Sequence, residues 1–464
     1  MLTSKNLITL FMIFTLTGLF QSCGKGSDAS KLVSGGGGSS SGSTKVSTTS
    51  GGGSSSSNDE PLFYTFGASE FSSFWIDGAN KGAAGDNSYG VMGIGSDSDG
   101  PFNTPQAVDS VETFKAVEGG KAHSCFLNSD NQLYCAGWNF FGQLGLGAAS
   151  NSEYTSPQLV DSSNTYKQFV GGTYHTCGIR SNGSEDGKVY CWGMEGNGRL
   201  GNNCTDPCVT FQKSPLAVDT AELFVDVTAG DAHSCGISIL GKVFCWGSNS
   251  KGQLGNSDLG VTLSKTPIEI DVDAAATFSS ISSTLNHTCA IRSDSGNVGK
   301  VMCWGRNNQG QIGNGSGDDE DVETPVLVSS GTTNIYSQIC VGGNHTCGIE
   351  ATVSGDVLTD TGEIKCWGDA GRGQIGNGAF GDANDEQLTA DYVLSTYGAS
   401  DTAITEDYLA VICGNKHTCA STESDYFCWG ENQFGALGNG SLNDGAHPGS
   451  SYEKPQKVDA IPSS

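Results

Sequence analysis

The chain is poor in charge, and poorest in positive charge. Of its 464 residues 16% are charged, with 23 Lys and Arg against 50 Asp and Glu, a formal net charge of −27. So acidic a surface repels phosphate backbones and argues against nucleic-acid binding through counterion release. Long stretches with a 3.6-residue apolar period are missing, which argues against a helical body. There is one long apolar run, residues 7–19 (LITLFMIFTLTGL), too short for a comfortable membrane span. No GxSxG, P-loop or paired-carboxylate motif stands out, so no catalytic or cofactor-binding residue is assigned. What the chain has in quantity is glycine, 68 residues, set among short apolar runs. That composition points to an all-β, turn-rich body.

The first 22 residues read as an export signal, with Lys5 before the apolar run. Ser22-Cys23 follows, and a cysteine just after such a run resembles a bacterial lipoprotein lipobox, although Phe20 and Gln21 depart from its usual residues. The resemblance implies that Cys23 is the lipid attachment site. Parity agrees: removing Cys23 from 17 cysteines leaves an even number to pair in an oxidising compartment. An ordinary secretory signal is the alternative. Residues 23–59 hold GGGGSSSGS and SGGGSSSS, a flexible tether. About 35 such residues span roughly 30–35 Å root-mean-square.

Residues 60–464 are spacing between copies of one unit. His123, His175, His233, His287, His345 and His417 are each followed by Ser or Thr and then Cys. A second cysteine follows, in Cys-Trp-Gly five times and in Cys135-Ala136-Gly137-Trp138 once. Two short runs joined by a polar turn read as a β-hairpin. A glycine turn comes next, GQLG at 142–145 and 252–255 or GQIG at 310–313 and 373–376, and a Pro-x-x-aliphatic strand usually closes the unit. A seventh, degenerate copy is placed at the start. Tyr64 stands there in the His position, Phe66 and Ile76 replace the cysteines, Ile76-Asp77-Gly78 replaces Cys-Trp-Gly, and 82–85 forms the glycine turn. The first-strand slots are then 64, 123, 175, 233, 287, 345 and 417.

The order Gly-x-x-His-Thr-Cys, Tyr-Cys-Trp-Gly-x-Asn-x-x-Gly-Gln-Leu-Gly resembles the regulator-of-chromosome-condensation repeat family. The resemblance implies a seven-bladed β-propeller over 60–464. Only six residues follow the last Pro-x-x-Val, so the C-terminal strand is expected to join the N-terminal blade and close the ring, removing exposed edges. The paired cysteines depart from the family's nuclear members and suggest an exported version.

A His-x-Cys with a further Cys offers three zinc ligands per copy, but exported cysteines on facing strands pair more readily than they find zinc. The expected disulfides are Cys125–Cys135, Cys177–Cys191, Cys235–Cys245, Cys289–Cys303, Cys347–Cys366 and Cys419–Cys428. Cys204 and Cys208 are expected to pair within one loop, and Cys340 with Cys413 between neighbouring blades. A histidine that recurs in every copy is expected to hydrogen-bond within the frame, not to catalyse; His447 stands outside it. Function is then sought in loops that differ between copies: 86–104, 202–214, 316–324, and the longest, 379–407, with Asp382, Asp385, Glu386 and Asp391. Phe71, Phe74 and Trp75 are candidate surface anchors or, alternatively, packing of the first blade. The reading is a non-enzymatic, monomeric module, lipid-anchored in a bacterial cell envelope, that takes a protein or glycan ligand through its loops without a cofactor. Resemblance to secreted propellers raises an enzyme inhibitor as the alternative. Guanine-nucleotide exchange, which resemblance to the nuclear members implies, sits poorly with export.

Overall fold

The computed structural model describes residues 66–462 apart from 148–151, 205–209, 258–259, 317–319, 330–333, 379–385, 399–400 and 442–450. The leader, Cys23, the tether, Tyr64, Cys208 and His447 lie outside the described residues. Those described form seven four-stranded antiparallel sheets, each from four consecutive strands. Blade 2 is typical: Phe114–Gly119 innermost, then His123–Asn128, Leu133–Trp138 and, outermost, Glu153–Leu159. Blades 1 to 7 run over 66–107, 114–159, 166–217, 224–269, 278–327, 336–392 and 410–457. The innermost strands touch round the ring, blade 7 meeting blade 1. The fold is a seven-bladed β-propeller.

The middle hairpin of blades 3 to 7 sets His opposite Gly, Thr or Ser opposite Trp, and Cys opposite Cys, and blade 2 differs only in having Ala136 in place of Trp; in blade 5 the pairs are His287 with Gly305, Thr288 with Trp304 and Cys289 with Cys303. The glycine is required. At Gly305 φ is +102°, and a Cβ would lie 2.4 Å from the Asn286 carbonyl oxygen. Gly305→Ala is therefore expected to cost about 2–3 kcal/mol, read by urea denaturation.

The recurring residues join one blade to the next. His345 Nε2 lies 2.9 Å from Thr418 Oγ1 in blade 7. The Thr418 hydroxyl donates to the Gln374 carbonyl of blade 6 at 3.0 Å, so the imidazole must donate to Thr418. Trp429 Nε1 donates to the same carbonyl at 2.9 Å. The second glycine of the turn seats that indole: a Cβ on Gly376 would meet Trp429 Nε1 at 2.6 Å. Equivalent bonds run from His123 to Thr176, His175 to Ser234, His233 to Thr288, His287 to Thr346 and His417 to Ser73. All six histidines are buried. Burial holds His123 and His417 down to about 4 and His233, His287 and His345 to about 3, with His175 also well below its ordinary value.

The last of those bonds corrects the register of blade 1. Ser73 does the work of Thr418, so Ser72, not Tyr64, fills the His position. Gly85, with φ +124° and no room for a Cβ beside the Phe71 carbonyl, matches Gly305. Phe74 lies opposite Ala83 where other blades have cysteines, while Phe66 faces Trp75 and Ile76 faces Lys81. The glycine turn is Gly90 to Gly93, with φ +74° and +68°. No histidine bond crosses from blade 1 to blade 2; that interface is apolar, built from Phe74, Val91, Met92, Phe114, Val117 and Phe126.

The ring closes through its C-terminal strand by packing instead of pairing. Ser451–Lys457 bonds to Tyr426–Glu431 as the outer strand of blade 7, because blade 1 already has Phe102–Ala107 in that place. Val458 packs with Phe66, Trp75 and Ala84 of blade 1, and Ile461 joins them. The Gly440 N–H donates to the Asn103 carbonyl at 2.8 Å.

Candidate functional site

The described cysteines are occupied structurally. The six hairpin pairs are bonded as cross-strand disulfides, and Cys340 is bonded to Cys413 between the inner strands of blades 6 and 7. Cys204 is disulfide-bonded; Cys208, expected as its partner, lies outside the described residues. A zinc trio in each blade fails because the sulfurs hold each other and each Nε2 points to the next blade.

All four loops singled out in sequence run into outer strands. Phe102–Ala107, Phe211–Ala217, Val322–Leu327 and Glu386–Tyr392 complete blades 1, 3, 5 and 6. Asp391 accepts a hydrogen bond from Asn377 at 3.1 Å, while Asp382 and Asp385 lie outside the described residues. Phe74 and Trp75 are core. Trp75 meets Gly438 of blade 7 as Trp429 meets Gly376, although it comes from the neighbouring strand. Phe71 reaches the surface.

One face carries both the glycine turns and the turns that lead from each inner strand into the histidine. Immediately before the first turn glycine, blades 3 to 6 have Asn197, Lys251, Gln309 and Arg372; blades 1, 2 and 7 have Tyr89, Phe141 and Phe434. Just before the His position, most blades have Ala, Asn or Lys, but blades 1 and 3 have Phe71 and Tyr174. These departures meet across three successive blade interfaces. Phe434 and Phe71 lie 4.8 Å apart between blades 7 and 1. Tyr89 stacks on Trp138 at 5.2 Å between blades 1 and 2, and Trp138 stacks on Phe140 at 5.4 Å. Phe141 and Tyr174 lie 5.2 Å apart between blades 2 and 3, with Phe211 beyond. Tyr89 is 43% and Phe140 40% exposed. Aromatic rings left in water on a rigid frame are interface material. Sequence reasoning passed over Phe140 and Phe141. The signal was present: Asn139-Phe140-Phe141-Gly142-Gln143 against Asn249-Ser250-Lys251-Gly252-Gln253.

The arc borders the mouth of the central channel, a cavity of about 240 Å³. At the mouth Lys121 Nζ pairs with Glu70 at 3.1 Å, and Asn415 donates to Glu70 at 3.2 Å. Burial works to lower the Lys121 ammonium, but the Glu70 carboxylate outweighs it and the net shift is upward. Arg199 is anchored below, its guanidinium on the Asp231 and Gly196 carbonyls.

Stretches between residues 114 and 349 match two family models, both described as regulator of chromosome condensation (RCC1) repeat, one over residues 114–143, 224–253 and 278–311, the other over 130–179, 186–237, 241–291 and 298–349. The matched stretches are similar to RCC1 repeats. Among proteins that carry a similar stretch, human E3 ubiquitin-protein ligase HERC2 is 25% identical over 349 residues, 73% of this chain and 6% of HERC2. The Arabidopsis thaliana ultraviolet-B receptor UVR8 is 28% identical over 290 residues, 61% of this chain and 62% of the receptor. The chain thus spans less than two thirds of either relative. Prp20p of Saccharomyces cerevisiae, solved in a study that also describes its binding to Gsp1p and histones, superposes with a TM-score of 0.66 at 18% identity, over 83% of this chain and 87% of Prp20p. Human WBSCR16 superposes at 0.65, also 18% identical, over 81% and 94%. At such identity the likeness is one of fold.

Proposed function

We propose that this RCC1-repeat propeller is a non-enzymatic binding module, held outside the cytoplasm by lipid on Cys23, that takes a protein partner on its glycine-turn face. The observation that carries the reading is the aromatic arc over blades 7, 1, 2 and 3, where the repeat frame alone would put polar side chains. Disulfides in six hairpins suit an oxidising compartment, in line with the export signal. The six histidines are committed to inter-blade bonds, which leaves them outside any acid–base chemistry. Prp20p is a precedent for partner binding by a propeller of this shape. HERC2 is a ligase, but this chain matches 6% of it, so that activity is not proposed here.

Phe140→Ser with Phe141→Ser is expected to weaken partner capture from envelope extracts by at least tenfold. Thermal stability should change by less than about 1 kcal/mol, since Phe140 lies at the surface and Phe141 is only partly buried. Capture that is unchanged by the substitutions, or a signal for glycans alone on an array, would move the function away from a protein-binding arc.

A further inference from the structure

The central channel holds a carboxyl group that the fold does not use. Glu118, on the inner strand of blade 2, lines the cavity among Ala116, Val170, Ala229, Ile281 and Val341. Only burial and the neighbouring carboxyl of Asp226 act on it, and no cation or hydrogen-bond donor of the described residues answers its charge. Asp226, on the inner strand of blade 4, is 3% exposed; one of its oxygens accepts from Gln168, and Oδ2 has no hydrogen-bond partner. The cation at the mouth is not free for either carboxyl, because Lys121 is held by Glu70.

We infer that the channel is a binding site for a primary amine on a methylene stem, a lysine side chain or a free alkylamine, with Glu118 as its counter-ion. The apolar wall suits the stem, and a lone carboxylate suits a point charge better than a planar fork. A divalent cation suits the site poorly. It needs six or more oxygen ligands, and the nearby hydroxyls are engaged: Ser282 Oγ accepts from the Val341 N–H at 3.1 Å, and Thr228 and Ser283 bond each other at 3.1 Å. The net charge of −27 draws cations to the molecule. The site is separate from the aromatic arc, so a small amine tests it with no partner present.

Burial, then repulsion from Asp226, raises Glu118 to about 8, and burial raises Asp226 to about 7. Besides Asp226, the charged groups near Glu118 are Glu70, Lys121 and Asp231 at the rim. An incoming ammonium favours the ionised form, so binding at pH 7 expels a proton from Glu118, and affinity rises between pH 6 and pH 8.5.

Isothermal titration of the full chain with cadaverine is expected to show one site. The heat at pH 7 should vary with the ionisation enthalpy of the buffer. Glu118→Gln and Glu118→Ala, each checked for the wild-type circular dichroism spectrum, should weaken binding at least tenfold, and hexanoate should not bind. No cadaverine binding by the wild type, equal affinity in both variants, or displacement of cadaverine by micromolar Ca²⁺ would each overturn the assignment.

Discussion

Acidifying the protein from pH 7 to pH 4.5 is expected to strip away most of its stability. The six buried imidazoles are neutral in the fold, where the five with a definite value sit near 3 to 4 and His175 is also depressed. In the unfolded chain each regains a value near 6.5 and takes up a proton as pH falls through it. The unfolded state then binds more protons, so stability falls with pH between about 6.5 and 3.5. At pH 4.5 each histidine withdraws about 2–3 kcal/mol. Three carboxyls act in the opposite direction: burial raises Glu118 to about 8 and Asp226 and Glu195 to about 7, so all three favour the fold as they protonate. They return about half of the loss. A net loss on the order of 5–10 kcal/mol is comparable to the whole stability of an ordinary domain. Urea midpoints at pH 7, 6, 5 and 4.5 read this directly. A flat profile would mean that the histidines are not the neutral inter-blade donors described here.

The second large effect is expected from the bond between Cys340 and Cys413. It closes 73 residues and ties the inner strand of blade 6 to that of blade 7, whereas the hairpin bonds close 9 to 19 residues within a blade. In the chain-entropy account a loop of that length is worth about 4 kcal/mol, against about 3 for a hairpin strap. Replacing both cysteines by alanine should therefore lower the unfolding free energy by about 4 kcal/mol, measured by urea titration under non-reducing conditions. A change below 1 kcal/mol, or alkylation of both thiols in the native protein without reductant, would remove the inter-blade bond from the account.

The frame of the fold was legible because the same contact recurs. His345, Thr418, Gln374 and Trp429 form one inter-blade unit, and each copy must supply its own members at fixed spacing. Blade 1 was harder to read for the same reason. Its histidine bond is missing, Ser72 fills the position, and Trp75 reaches the Gly438 seat from the next strand. A pattern search in sequence follows strand positions, whereas packing asks only that an indole arrive on the glycine. That difference moved the register from Tyr64 to Ser72 and the apolar pair from Phe66 and Ile76 to Phe74 and Ala83. Closure was misread in one respect, since it depended on whether blade 1 already had an outer strand, and the Pro-x-x-aliphatic step that marks one, Pro105-Gln106-Ala107-Val108, was passed over. The candidate site was less legible still. Phe140, Phe141 and Tyr174 look like scattered aromatics until the ring brings turns of neighbouring blades together, and Glu118 looks like any acidic residue until seven inner strands enclose it.

The claim that the glycine-turn face is the binding face is tested most directly by photo-crosslinking in the native cell envelope. A benzophenone amino acid at position 140, within the arc, is compared with one at position 240, where Leu240 is 70% exposed in a turn that joins the second and third strands of blade 4. The account predicts one discrete crosslinked protein from position 140 and none from position 240. Crosslinking from position 240 alone, or from neither position, would contradict it.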